Sequence, residues 1–162
     1  MRISLEKRGV SCVARLLEQE APLTCDIVWH ALPQGGDAFH AKYANNEVYC
    51  LVPPLRGAEP GLENATLMPI PGDVVYFYFP AGHLPQAVRE LRGLAGLPGF
   101  VDLAVFYGRN NFLFNPATGP VPGNVFATIV ENFGAMAAAC NDVWRNGSAG
   151  ERLSFRRIED RS

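Results

Sequence analysis

Two β-prone runs constrain this chain more than any other feature: PGDVVYFYFP at 71–80 and VDLAVFYGRNN at 101–111. Branched and aromatic residues dominate both, as suits a pleated, packed surface. Val74 to Phe79 lacks clean polar alternation, which predicts burial on both faces. The two runs read as the central strands of an antiparallel sheet, with the polar turn Tyr107-Gly108-Arg109-Asn110-Asn111 at its mouth.

Further strands follow from shorter alternations. Residues 2–8 and 11–17 form an opening hairpin around Arg8-Gly9. DAFHAKY at 37–43 and NEVYCLV at 46–52 read as a second pair, with His40 and Lys42 on one face of the first and Glu47, Tyr49 and Leu51 sharing a face of the second. Thr66 to Met68 makes a short edge strand beside Pro69 and Pro71. Phe112 to Phe114, NVFATIV at 124–130 and the tail ERLSFRRIE complete the set, the tail pairing with an earlier strand. A helix of about three turns is predicted from Pro22, with Leu23, Ile27 and Ala31 at spacing four, stopped by Pro33 and Gly35-Gly36. A second helix spans 132–145 with Phe133, Met136, Ala137, Cys140 and Trp144 on one side. Residues 53–64 form an exposed loop, and 80–98 an insertion carrying an exposed helix with His83 in solvent at its entrance. The count is about eight strands and two main helices. Pairing of the last strand with an early one then predicts a closed antiparallel β-barrel, mainly β, with helices plugging its ends.

At 162 residues the chain fits a single domain, 1–162, large enough to bury a core without a covalent staple. A formal net charge of −2 argues against a nucleic-acid binder, which needs a basic face. No run approaches a membrane span, and MRISLEKRGV lacks the apolar core of a signal peptide, so a cytoplasmic protein is expected. Cys12, Cys25, Cys50 and Cys140 are far apart and set in apolar sequence, which predicts buried thiols. His30, His40 and His83 lack ligand spacing, and no phosphate-cradling glycine loop joins a strand to a helix, so neither metal nor cofactor is expected.

EAPLTCDIVWHALP at 20–33 resembles the first helix of the cyclophilins, and Phe39-His40 the start of their Phe-His-Arg catalytic strand. With FHAKY, NEVYCLVP, ENATLMPIPGDVVYF, AVFYGRNN and GNVFATIVEN, nearly the whole chain resembles a bacterial cyclophilin-like family of unknown function. The resemblance implies the barrel and leaves the activity open. Cucumopine-type opine synthases resemble the same fold, which shows that it hosts small-molecule condensation. Ala41 stands where the catalytic arginine of a prolyl isomerase is expected, so the resemblance does not extend to that activity.

Three polar sets carry candidate chemistry. His40 with Glu47 makes an acid–base pair, since histidine titrates near neutrality and a carboxylate orients it, with Tyr49 beside them. Tyr107, Arg109 and Asn110 lie toward the strand end, where a guanidinium binds a carboxylate through two parallel hydrogen bonds. Tyr76 and Tyr78 alternate on one strand and supply pocket hydroxyls. The leading expectation is a protein that binds or converts a small carboxylate, amino-acid-like metabolite. In it His40, Glu47 and Tyr107 are catalytic, and Tyr49, Tyr76, Arg109 and Asn110 hold the substrate. The alternative is an interaction module using Leu84, Val88 and Leu91 of the insertion to bind a protein, including a second copy of itself.

Overall fold

The computed structural model describes residues 1–158. The strands are β1 (Arg2–Leu5), β2 (Val10–Leu16), β3 (Gln34–Asp37), β4 (Phe39–His40), β5 (Glu47–Val52) and β6 (Ala65–Thr66), then β7 (Asp73–Pro80), β8 (Gly99–Phe106), β9 (Phe114–Asn115), β10 (Gly119–Pro120), β11 (Gly123–Glu131) and β12 (Arg152–Arg156). The helices are α1 (Pro22–Ala31), α2 (Gln86–Leu91) and α3 (Phe133–Asn146). One antiparallel sheet runs β3-β12-β1-β2-β11-β7-β8-β5-β4, with β6 beside β11, and β9 and β10 form a separate hairpin.

β7 and β8 are the central strands, paired over seven positions from Val74↔Val105 to Pro80↔Gly99. Every residue of β8 is buried, as the unbroken apolar run demands. The last strand pairs with the first, Ile3 opposite Phe155. The sheet curls until β3 lies against β5, where a Cβ on Gly36 would stand 3.0 Å from the Leu51 carbonyl. No ladder joins these two strands among the described residues, so the expected closure is an approach of the sheet's ends and not a hydrogen-bonded seam.

Inside the curl lie Ile3, Leu5, Val48, Cys50, Leu103 and Phe126, covered by α1 and α3. All four cysteines are free and buried. α1 buries Thr24, Cys25, Ile27 and Val28. With Pro22 at its start, its N-terminus is closed from outside: the Leu23 and Thr24 amides donate to the Glu63 carboxylate at 3.1 and 2.8 Å. α3 buries Met136, Ala139, Cys140 and Val143. Trp144 is 61% exposed, because the face that meets the sheet follows 136, 139/140 and 143 and leaves 144 turned outward. The Arg8 guanidinium ties the first hairpin to this end of the fold, bonding Asp142 at 2.7 Å and the fully buried Glu151 at 2.8 Å.

The structure adds one strand and corrects two local expectations. Gly35-Gly36 lie beyond the end of α1, as expected, but within a strand, Gln34–Asp37, paired with β12. The glycines permit it, since a Cβ on Gly35 would come within 2.7 Å of the Leu153 carbonyl. The predicted strand at 37–43 shrinks to Phe39–His40, followed by bends to residue 46. His83 is half-buried, its ring stacked on Phe79 with centroids 4.3 Å apart.

A second apolar layer covers the other face of the central strands. It holds Val75, Phe77, Ala104, Phe106 and Leu113 and is only partly roofed by the insertion and the β9–β10 hairpin. That incomplete roof leaves a cavity.

Candidate functional site

The cavity has a volume of about 590 Å³. Its floor follows from register. Tyr49 lies opposite Ala104 and Leu51 opposite Asp102, while Phe77 lies opposite Asp102 and Phe79 opposite Phe100. The period of two therefore brings Glu47, Tyr49, Asp102, Phe77, Phe79 and Phe100 to one face. Phe39, opposite Tyr49 on β4, packs its ring 5.7 Å from the Tyr49 ring. Arg92, just after α2, reaches in from the insertion and lays its guanidinium over Phe39 at 4.0 Å from the ring centroid.

Two carboxyls are sunk into this apolar floor. Glu47 is 6% exposed and Asp102 8%. Burial pushes Glu47 up to about 8. Asp102 is raised well above the ordinary range, first by burial and then by the Glu47 charge, with Arg92 pulling the other way. Tyr49 is also raised, by burial and then by Asp102, while the Arg92 guanidinium near its hydroxyl opposes the shift. Asp102 Oδ1 is buried without a hydrogen-bond partner in the protein. A buried acceptor left unsatisfied costs about 1–3 kcal/mol, so this oxygen is a standing demand for a donor.

His40 sits where the cavity turns round the edge of the sheet at β4, close to Val143 and Trp144 of α3. Its Nδ1–H donates to the Ala41 carbonyl at 2.9 Å, which leaves Nε2 to accept the Tyr107 hydroxyl at 2.7 Å. Burial lowers the His40 pKa and pushes the Tyr107 phenol up to about 12. The neutral forms of both are favoured, with the proton on Tyr107.

The structure thus brings together His40 with Tyr107, and Glu47 with Tyr49. It does not pair His40 with Glu47: Phe39 faces Tyr49 and His40 lies opposite Val48, on the other side of the strands. Arg109 and Asn110 are exposed and outside the cavity. Their carbonyls accept from Asn46 and Asn45, and Asn110 takes φ 63, so this segment works as a turn. Buried Asn111 fastens it, donating to Pro69 and Gly108 carbonyls at 2.8 Å. Tyr76 points into the opposite layer and donates to Glu59 at 2.7 Å, beside a smaller cavity of about 220 Å³. Sequence reasoning missed Asp102 and Arg92. An aspartate inside the otherwise apolar run FVDLAVF, on a central strand, is itself a signal. Arg92 carries none, because its place depends on how the insertion folds back.

A family model described as "Protein of unknown function (DUF3830)" matches residues 3–155. The chain belongs to this family. No curated protein matches the chain at a significant level. Among solved structures, one entitled "Structure of McbB in complex with tryptophan" superposes with a TM-score of 0.59 at 18% identity. The match covers 99% of the DUF3830 chain and 46% of McbB, so the chain spans about half of McbB's length. At that identity the likeness concerns the fold, and the cyclophilin-like arrangement is the one the two share. Among the described residues, no helix is long and apolar enough to cross a membrane.

Proposed function

We infer that this DUF3830 protein binds, and by acid–base chemistry converts, a small amino-acid-like carboxylate in the cavity between Arg92 and Asp102. The observation that carries this reading is the pair of carboxyls buried in an aromatic enclosure, where water-exposed positions would cost far less, with the half-buried Arg92 guanidinium laid over Phe39 beside them. Arg92 takes the role expected of Arg109, offering a planar fork to a carboxylate. Glu47 and Asp102 take the proton-handling role, since burial holds a carboxyl poised near neutrality. His40, which lines the same cavity, and Tyr107 form a second proton-handling pair. The tryptophan named in the McbB title is an aromatic amino acid, which fits walls made of Phe77, Phe79 and Phe100. Prolyl isomerisation is disfavoured, because Ala41 follows His40.

A thermal-shift panel of amino acids, N-acyl and N-carbamoyl amino acids, keto acids and opines tests this reading. A stabilising compound whose effect is lost in Arg92→Ala and kept in Arg109→Ala supports it. Equal loss in Arg109→Ala, with Arg92→Ala unaffected, sinks it.

One observation favours a second reading, the interaction module: Leu91 on α2 is 87% exposed at the tip of the insertion. Self-association abolished by Leu91→Glu, together with no hit across the panel, would establish it.

A further inference from the structure

The charges in the cavity do not balance. Glu47 and Asp102 are two buried acids that sense each other, and among the described residues the guanidinium of Arg92 is the cation that acts on Asp102. The other titratable groups lining the space are Lys42, exposed at the rim, Tyr49, and the two histidines, His40 and His83, both held toward the neutral form by burial. With Arg92 matching one carboxylate, the second acid has no counter-charge and keeps its proton. Asp102 Oδ1, meanwhile, has no donor. The surrounding walls are flat and apolar, with Phe77, Phe79 and Phe100 on one side and Phe39 on the other.

We propose that the cavity is specific for a ligand carrying a protonated amine on an aromatic body, with the ammonium group seated between Glu47 and Asp102. This deepens the reading above and rests on it: Arg92 takes the carboxylate of the same ligand, and the acids take its amine. The ammonium supplies the donor that Asp102 Oδ1 lacks and the charge that the second carboxyl lacks, while the rings provide stacking surface and cation–π attraction. Charge balance then requires that an amine without a carboxylate expels one proton to solvent at neutral pH, whereas an amino acid, whose carboxylate claims Arg92 while its ammonium matches the ionised acid, leaves the pair its proton. A ligand without the amine leaves the proton where it is and leaves Oδ1 unsatisfied.

The test is calorimetric titration of the whole protein at pH 7 with three matched probes: L-phenylalanine, phenethylamine and 3-phenylpropionate. Each is run in phosphate and in Tris, whose ionisation enthalpies differ, so that proton release is read directly. Phenethylamine is expected to bind with release of close to one proton and L-phenylalanine with release of close to none, and 3-phenylpropionate at least tenfold more weakly with none released. Asp102→Asn and Glu47→Gln, which keep side-chain shape, are each expected to abolish the proton release and weaken the amines at least tenfold, with the fold checked by circular dichroism. Equal binding of 3-phenylpropionate and L-phenylalanine, both lost in Arg92→Ala, would overturn the amine assignment and leave the carboxylate site standing. Phenethylamine binding with no proton released, or amine binding unchanged in both acid variants, would also overturn it. Binding by none of the three probes would overturn the aromatic-amine specificity, while hits elsewhere in the thermal-shift panel decide the broader reading separately.

Discussion

Removing the buried acids should change how stability depends on pH, by an amount the structure sets. Glu47 is pushed up to about 8 when folded, against about 4.5 for a free side chain. A carboxyl with a raised folded pKa favours the folded state fully below the unfolded value, and that contribution is lost as pH rises through the window up to the folded value. A gap of about 3.5 pH units at 1.36 kcal/mol each caps the loss at about 5 kcal/mol. Relaxation of the site and water entry offset part of it, so about 2–5 kcal/mol is expected between pH 4.5 and 8. For a domain of this size that is roughly 5–15 °C in melting temperature. His40 and His83 act in the opposite sense: their folded pKa values are lowered, so protonation of the unfolded chain removes stability as pH falls below about 6.5. The readout is therefore a difference. Thermal melts of the wild type and of the Glu47→Gln/Asp102→Asn double variant, taken every half unit from pH 5 to 9, should diverge as pH rises, with the variant gaining over the wild type by that amount. The histidine contribution cancels because both proteins keep it. Parallel curves would show that neither acid is held in its protonated form by burial and would refute the electrostatics of the site.

Arg8→Ala leaves Glu151 buried and unpaired, and should cost about 3–5 kcal/mol in denaturant melts. The loss should shrink at acid pH, because Glu151 is lowered by Arg8 and by two backbone amides once burial is overcome, and its contribution fades as pH falls through that lowered value. Glu63→Ala removes the carboxylate that closes the start of α1 and should cost about 1 kcal/mol, read in the same melts. Gly35→Val pushes a side chain into the Leu153 carbonyl and should destabilise by about 1–3 kcal/mol, with amide exchange faster across β3 and β12. Tyr107→Phe deletes the donor to His40 Nε2, which favours the neutral ring, so the His40 pKa followed by NMR should rise.

The central sheet was legible in the sequence because its strands are long and apolar: 71–80 and 101–111 became neighbouring strands, and the tail did pair with the first strand. α1 was legible through Pro22 and its spacing-four pattern. β3 was not, because glycines that end a helix and glycines that allow two backbones to touch look the same until the partner strand is known. The site was half legible. Alternation placed Glu47 and Tyr49 on a common face correctly, but the pairing of β4 with β5 turns His40 away from them. His40 instead meets Tyr107, a contact across 67 residues that depends on sheet order. Arg109 lies in the expected turn, exposed and outside the cavity, while Arg92 entered through the fold of an insertion that local pattern does not determine.

The most direct test of the account is NMR of protein carrying ¹³C-labelled carboxyls and ¹⁵N-labelled arginine, titrated with L-phenylalanine or with the best compound of the thermal-shift panel. The account predicts that the Glu47 and Asp102 carboxyl signals and the Arg92 Nε signal shift together along one binding curve, with Arg109 unmoved. Saturable binding that shifts Arg109 or the 107–111 turn and leaves Glu47, Asp102 and Arg92 in place would contradict it.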